Sequence, residues 1–349
     1  MWSEIEHPPD EEISTALVQC IDLFNDPACP WMPDVKRLTL RTLGYLPAVG
    51  TAVQGLSNLE HFSCDLCMDR QLLNKLAILP RLKSIDLRWL LSDVARSLIP
   101  SRPSFAAIES FRLLGAIDSI SATLPLITSI ELTTVRLGIK GLELNGLDSS
   151  LITLLVPPSV PARALSLRHF HLVGPSFRHL VASLPNHLAL GDFAPLCSCH
   201  ALETFWIDMS LNEVVCTDVD VHAMAEAWPK LIRLSINGPL RAMVNRSPPR
   251  ARLYTLWSLA IHCPRLSDLS IEIDARVTDP FYATSTSVVK GSEMEQVSFH
   301  FSPCGEPEMV AAFLRVAFPG LSLSAFSAHS NLNNPEDQAR WVDVGRMLE

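Results

Sequence analysis

Charged residues are scarce in this chain of 349 residues: they make up 19% of it, whereas hydrophobic residues make up 48%. With 14 glycines and 26 prolines, the composition is neither that of a disordered chain nor that of collagen. No apolar run is long enough to span a membrane. Because the chain exceeds the size of one compact core, we expect two domains or an elongated repeat array.

Lysine and arginine are absent from residues 1–34, which hold eight carboxylates and account for nearly all of the net charge of -9. The nearly neutral remainder cannot neutralise many phosphates, which argues against general nucleic-acid binding. The N-terminal sequence also lacks the basic and apolar regions of a secretory signal. We therefore expect a cytoplasmic or nuclear protein that binds no membrane, and whose nine cysteines are free and mostly buried.

Common active-site motifs are missing as well. The sequence has no phosphate-binding glycine loop that ends in Gly-Lys-Ser/Thr, no Gly-x-Ser-x-Gly elbow and no His-Glu-x-x-His helix. We therefore predict a protein that is not an enzyme and needs no cofactor. An enzyme with an unrecognised site is the remote alternative.

A short pattern recurs along the chain, with apolar residues at positions i, i+3 and i+5. Its units begin at 35, 59, 82, 108, 127, 151, 167, 202, 231, 266 and 294. In a chain this apolar the pattern alone is weak, but an apolar residue and a proline precede five of the units. These steps are Met32-Pro33, Leu79-Pro80, Leu124-Pro125, Trp228-Pro229 and Cys263-Pro264. Because proline disfavours helix at the residue before it, each step ends a helix and starts an extended segment.

Helical patterns fill several of the intervening segments. Apolar residues at i, i+3, i+4 and i+7 predict helices over 177–184, 221–228, 253–260 and 309–316. The chain thus alternates helix, proline and strand, with the strands roughly 16 to 35 positions apart, near the length of a leucine-rich repeat. Helices that begin at Asp10-Glu11-Glu12 and at Asn334-Pro335 are expected to cover the two ends.

Three phrases carry a resemblance to a known family: Leu-Pro-Arg-Leu-Lys-Ser-Ile-Asp-Leu at 79–87, Trp-Pro-Lys-Leu-Ile-Arg-Leu-Ser-Ile at 228–236 and Cys-Pro-Arg-Leu-Ser-Asp-Leu-Ser-Ile at 263–271. They resemble the divergent leucine-rich repeats of fungal, basidiomycete-like F-box proteins. The resemblance implies an α/β irregular leucine-rich-repeat solenoid over 31–326, with a mostly parallel curved sheet on the concave side and helices on the convex side. An acidic N-terminal segment with a capping helix is expected over 1–30, and a C-terminal capping helix over 327–349.

Two cysteine groups have spacings that occur in metal or redox sites. Cys64 and Cys67 both occupy packing positions of the repeat, and Cys67 is the one residue that matches the conserved turn position of a regular repeat, so we interpret both as core. Cys197, Cys199 and His200 have no second ligand pair at metal-site spacing after them. We therefore predict no metal site.

Two histidines, His169 and His171, share the exposed face of one predicted strand. They are a pair of metal ligands, a pH-sensitive patch or a solvated pair, and we favour the solvated pair because no carboxylate or cysteine lies nearby in sequence.

Alternation along each strand places the residues beside the apolar sites on the concave face. The predicted protein-binding residues of this face are Arg37, Arg41, Arg88, Arg112, His169, His171, Trp206, Asp208, Arg233, Asp268 and Glu272. Arginines dominate its first part and carboxylates its last part, so we expect an electrically graded surface. Trp206, between the two parts, has the character of a binding hot spot, unless an insertion folds over it and buries it.

A weaker second surface is the basic loop over 238–252. It contains Arg241, Arg246, Arg250 and Arg252. The loop is either a solvated connector or a docking site for an acidic protein surface.

Together these features predict a non-catalytic protein–protein interaction module. The resemblance implies the substrate-recognition repeats of an F-box-type ubiquitin ligase adaptor, in which a separate helical F-box binds a Skp-type adaptor. The residues ahead of Val35 lack the Leu-Pro opening of an F-box, so we expect a Skp-type partner only if an F-box exists upstream. The alternative is a free-standing leucine-rich-repeat scaffold or inhibitor with no role in ubiquitin transfer.

Overall fold

A computed structural model of the chain describes residues 34–40, 53, 56–68, 70–90, 104–139, 149–157, 161–174, 187–209, 213–237, 249–276, 294–321, 326–327 and 335–349. The chain divides into two compact units, residues 1–132 and 133–349. Both units combine helices with a parallel sheet, so the predicted α/β class is confirmed.

The first unit contains four described parallel strands that pair in chain order. They are β1 (Arg37–Leu40), β2 (His61–Met68), β3 (Ser84–Leu90) and β4 (Ser110–Gly115). Their register aligns Leu38, Phe62, Ile85 and Phe111 in one row, and the last three side chains are buried. This row is the i+3 site of the predicted pattern, so the predicted register is confirmed here. Helices α1 (Arg70–Ala77) and α2 (Ile117–Thr123) belong to the same unit.

The second unit contains a longer parallel sheet. Its described strands, in order of pairing, are β5 (Thr134–Ile139), β6 (His169–Val173), β8 (Thr204–Asp208), β10 (Arg233–Asn237), β11 (Asp268–Ser270), β12 (Gln296–Ser298) and β13 (Phe326–Ser327). Strands β7 (His187–Ala189) and β9 (Glu213–Val215) form a separate parallel pair. The helices are α3 (Ser149–Leu155), α4 (Pro161–Ser166), α5 (Asp218–Ala227), α6 (Leu253–His262), α7 (Pro307–Ala317) and α8 (Pro335–Met347).

Proline follows the C-terminal capping residue of three of these helices, and two of these ends, at Trp228-Pro229 and Cys263-Pro264, are at predicted steps. Helices α5, α6 and α7 are capped by Trp228, Cys263 and Phe318, and each of these residues precedes a proline. Their φ angles of -117°, -113° and -133° are extended, as expected for a residue that a following proline keeps out of the helical region. The predicted helices over 221–228, 253–260 and 309–316 are thus confirmed.

One hydrogen-bond arrangement recurs where strands begin. The carbonyl of Glu203 accepts from the backbone amides of Ile232 and Arg233, and the carbonyl of Ile232 accepts from those of Ser267 and Asp268. The same two-donor arrangement occurs at the carbonyls of Lys36, Glu60, Lys83, Thr133, Arg168 and Ser267. Successive strands therefore begin with the same pair of backbone hydrogen bonds, although the segments between them differ in length.

Two predicted strands are wrong. Residues 127–132 are not a strand, and Ile130 is 56% exposed; the strand is β5, which buries Val135 and Leu137 instead. Pro125 follows Leu124, the cap of α2, but Leu124 keeps helical angles (φ -55°, ψ -40°) and the chain continues as a 3-10 turn (Leu124–Leu126), so it extends later than at the other prolines. The unit at 151 is helix α3, which buries Leu151 and Leu155 at helical spacing.

The predicted C-terminal helix is present as α8. Trp341 and Val344 are buried, the Trp341 indole nitrogen donates to the carbonyl of Ser302 at 2.7 Å, and its ring stacks on Phe299 with the centroids 5.0 Å apart. The predicted helices at the N-terminus and over 177–184 lie outside the described residues. Within the described ranges, no helix combines the length and apolarity needed to cross a bilayer.

Candidate protein-binding face

One side of the second unit's sheet packs against the helical elements. Phe205 in β8 contacts Trp228, with ring centroids 4.9 Å apart, and Phe193, with centroids 5.6 Å apart. The Trp228 indole nitrogen donates to the carbonyl of Leu196 at 2.9 Å, and all of these side chains are buried. Phe205 therefore points to the core.

Side chains alternate along a strand, so the neighbours of the core residues project from the opposite side of the sheet. We call this side the polar strand face. It comprises Thr134, Arg136, His169, His171, Thr204, Trp206, Asp208, Arg233, Ser235, Asn237, Asp268, Ser270, Gln296 and Ser298.

Trp206 lies in the middle of the polar strand face. The register places it beside His171 of β6 on one side and Ser235 of β10 on the other. The rings of Trp206 and His171 stack, with their centroids 6.3 Å apart and their planes 20° apart. Trp206 is half-buried, so part of its indole remains accessible on the face that points away from the core.

The two histidines of β6 differ in environment. Burial, together with the charges of Arg136, His169 and Arg233, lowers the pKa of His171 to about 4, so its ring is neutral at pH 7. Nδ1 of His169 and the hydroxyl of Thr204 are hydrogen-bonded, with 3.2 Å between the two atoms. The favoured interpretation of a solvated pair is therefore wrong, because one ring is stacked and the other is hydrogen-bonded across the strands.

Ion pairs across the sheets involve four of the charged residues predicted for the binding surface, Arg88, Arg112, Arg233 and Asp268. They join Arg88 to Asp65, Arg112 to Asp86, Arg168 to Glu203 and Arg233 to Asp268, with N–O distances of 2.7 to 3.4 Å. Arg88, Arg112 and Arg233 therefore each have a carboxylate on the adjacent strand, which reduces their contribution to the expected electrical gradient. Partly exposed pairs of this kind contribute about 0 to 1 kcal/mol each to stability.

The other predicted binding residues are distributed unevenly. Arg37 is exposed on β1 of the first unit, whereas Asp208 and Glu272 of the second unit are half-buried. Arg41 lies outside the described residues, as do Arg241 and Arg246 of the basic loop.

The two described arginines of the basic loop make contacts within the chain. The Arg252 side chain pairs with Asp218 at 2.7 Å, and its backbone amide donates to the same carboxylate at 2.7 Å. Arg250 is exposed and forms an isolated parallel bridge with Thr217. Arg252 therefore links the start of α6 to the start of α5.

A polar network on the same side was not singled out from the sequence. The Ser270 hydroxyl donates to the side-chain oxygen of Asn237 at 2.8 Å and also contacts Nε2 of His300. His300 has a φ of 45°, a left-handed backbone conformation that histidine tolerates better than most residues. The detectable signal was the alternation of short polar residues with apolar ones along β10 and β11.

The cysteines fit a structural role. Cys64 is fully buried at an inward site, as predicted; the side chain of Cys67 lies outside the described residues. The described free thiols are Cys64, Cys197, Cys199, Cys216, Cys263 and Cys304, five of them buried, which agrees with the prediction for these residues. Burial raises the pKa of the Cys199 thiol to about 12. Burial thus keeps this thiol protonated at pH 7 in the metal-free chain.

Comparison with known proteins gives no family for the chain: no protein-family model matches it, and no curated protein sequence matches it. The resemblance to fungal F-box proteins therefore rests on the three phrases quoted above.

Proposed function

We propose that this chain is a non-catalytic protein-binding module that captures a partner protein on the polar strand face around Trp206. The observation that carries the proposal is the stack of Trp206 on a neutral His171, half-buried at the middle of that face. Tryptophan and arginine dominate binding hot spots, and hot spots lie near the centre of an interface.

The surroundings of Trp206 support this role. Stacking holds the indole in place before binding, so little side-chain freedom is lost when a partner covers it. The ion pair of Arg233 and Asp268, on the strands that follow β8 in the sheet, gives the aromatic centre a polar border. Such a border contributes to specificity more than to affinity.

For the class of module, we propose an irregular leucine-rich-repeat solenoid. The in-register parallel strands, the repeated two-donor entry to each strand and the helix–proline–strand order all support it. In that class, the proposed role is substrate recognition for an F-box-type ubiquitin ligase in the cytoplasm or nucleus.

The test compares partner binding by the wild-type chain and Trp206→Ala, with Met309→Ala as the control. Met309 is 54% exposed on α7, so the control removes an apolar side chain away from the polar strand face. Quantitative affinity capture identifies the partner, and binding measurements with the captured protein then compare the variants. Trp206→Ala should reduce the binding free energy by ~2 to 4 kcal/mol, which is about a 30- to 1,000-fold loss of affinity. Met309→Ala should bind normally, and both variants should melt within a few degrees of the wild type.

Two outcomes would contradict the proposal. If Trp206→Ala melts far below the wild type, its indole is part of the core and binding losses mean little. If Trp206→Ala retains every partner that the wild type and Met309→Ala retain, binding occurs elsewhere.

The ligase role is tested separately by the gene sequence upstream of Met1. An in-frame helical segment with a Leu-Pro opening, and recovery of a Skp-type adaptor with the extended chain, would support it. A partner bound without any such adaptor would favour the free-standing scaffold.

A further inference from the structure

Three potential metal ligands meet on the helices of the second unit. The ligand atoms of His222 and Glu226 on α5 and of His262 on α6 all lie within 4.8 Å of one another. This is the one group of three such ligands among the described residues. None of the three was assigned to a metal site from the sequence, and the group is separate from the polar strand face.

Contacts at both ends hold α5 and α6 side by side. At their first turns, the Asp218 carboxylate accepts hydrogen bonds from Arg252 and from the Thr255 hydroxyl at 2.6 to 2.7 Å. At the other end, the Cys263 thiol donates to the carbonyl of Ala225 at 3.7 Å. The position of His262 against His222 and Glu226 is therefore fixed by the packing of the helices.

Within α5, His222 and Glu226 are one helical turn apart, so they share a face. Nε2 of His222 lies 3.5 Å from Oε1 of Glu226. Two ligand atoms that are each about 2.0 Å from a zinc ion at a tetrahedral angle are about 3.3 Å apart. The observed separation is thus close to that of two ligands on one zinc ion.

A buried hydroxyl orients His222 for this role. Its Nδ1 lies 2.6 Å from the hydroxyl of Ser258 on α6, and Ser258 is 3% exposed. When Nδ1 carries the proton and donates it to Ser258, Nε2 keeps its lone pair and faces Glu226 and His262. Metal-binding histidines almost always have such an outer-shell partner, which fixes the tautomer and the ring orientation.

We propose that His222, Glu226 and His262 form a binding site for a divalent transition metal of the zinc type, with the fourth position open to water. Two imidazoles and one carboxylate suit zinc better than calcium or magnesium, which prefer sets of oxygen ligands. Because the ligands come from two helices, the bound metal links α5 to α6 and stabilises their packing.

The test is a calorimetric titration of the chelator-treated full-length chain with Zn²⁺, with Mg²⁺ and Ca²⁺ as control ions. We expect about one Zn²⁺ per chain and no binding of the control ions. His262→Gln and Glu226→Gln should each abolish this binding, and Ser258→Ala should weaken it about 10- to 100-fold. His200→Gln and Cys197→Ser are matched controls outside the group and should bind as the wild type does.

A second measurement guards against variants that fail to fold. Without metal, His262→Gln should melt at the wild-type temperature, and added Zn²⁺ should raise the melting temperature of the wild type but not of the variant. Absence of a stoichiometric site in the wild type would overturn the proposal. So would zinc binding that survives His262→Gln and Glu226→Gln but is lost in Cys197→Ser. Neither result would affect the proposal for Trp206.

Discussion

Truncation of one core side chain tests whether neighbouring strands of the second unit support one another. Leu234 is 2% exposed in β10, and the register places it between Phe205 of β8 and Leu269 of β11. Leu→Ala substitutions in cores cost about 2 to 5 kcal/mol, and more where the site cannot collapse. Because Phe205 packs against Phe193 and Trp228, it cannot move to fill the cavity that Leu234→Ala leaves. We therefore expect the substitution to lower the free energy of unfolding by about 3 to 5 kcal/mol.

The distribution of that loss distinguishes a repeat array from other folds. In an array each repeat is stabilised chiefly by its neighbours, so damage at β10 should spread to both sides. Hydrogen exchange followed by mass spectrometry should show lost protection in peptides that cover Thr204–Asp208 and Asp268–Ser270, as well as in β10 itself. Urea denaturation gives the free energy of unfolding.

The control is Leu165→Ala, the same chemical change at a side chain that is 65% exposed. It should change stability by no more than about 0.5 kcal/mol. The reasoning is refuted if Leu234→Ala costs less than about 1 kcal/mol, or if its loss of protection stays within β10.

Two further predictions use the shifted pKa values. The pKa of His171 is about 4 in the folded chain, below its unfolded value of 6.5, so the unfolded chain binds more protons between these values and stability falls as pH drops from 6.5 toward 4. The unfolding free energy from urea denaturation should fall less between pH 7 and pH 4.5 in His171→Gln than in the wild type, by about 1 kcal/mol after allowance for the partial exposure of His171. An equal decrease in the two proteins would contradict the low pKa of His171. Burial also raises the pKa of the Cys199, Cys263 and Cys304 thiols to about 12, so iodoacetamide at pH 8 should label them only after denaturation; site-resolved mass spectrometry that finds them labelled in the native chain would contradict their burial.

The parts of the fold that were predictable have strong local causes. Proline keeps the preceding residue out of the helical region, so Trp228 and Cys263 marked two helix ends and the strands that follow them. The apolar spacing then gave the register of the paired strands. An apolar residue followed by proline at Leu124-Pro125 predicted a strand that is absent. Leu124 keeps helical angles there, and the chain continues through a 3-10 turn before it extends.

The sequence predicts which charged residues lie on the polar strand face, but not which of them pair with one another across the strands. Arg233 lies on the expected side, yet its partner Asp268 comes from the adjacent strand. A gradient inferred from order along the chain takes no account of pairing across the sheet, where a carboxylate on the next strand reduces the field of an arginine. The stack of His171 on Trp206 was missed for the same reason, because the two residues are neighbours only through the register of β6 and β8.

The proposed ligands on α5 and α6 show how contacts between residues far apart in sequence can be found from the sequence. The hydrogen bond between His222 and Ser258 joins residues 36 positions apart, and the same offset carries Glu226 to His262. In the proposed repeat array, equivalent positions of successive helices lie side by side, so chemistry that is scattered along the chain becomes contiguous across repeats. Alignment of the two segments on Pro229 and Pro264 brings Glu226 within one position of His262. Ligand sets in an irregular array are therefore better sought between proline-aligned repeats than at the close spacings of ordinary metal motifs.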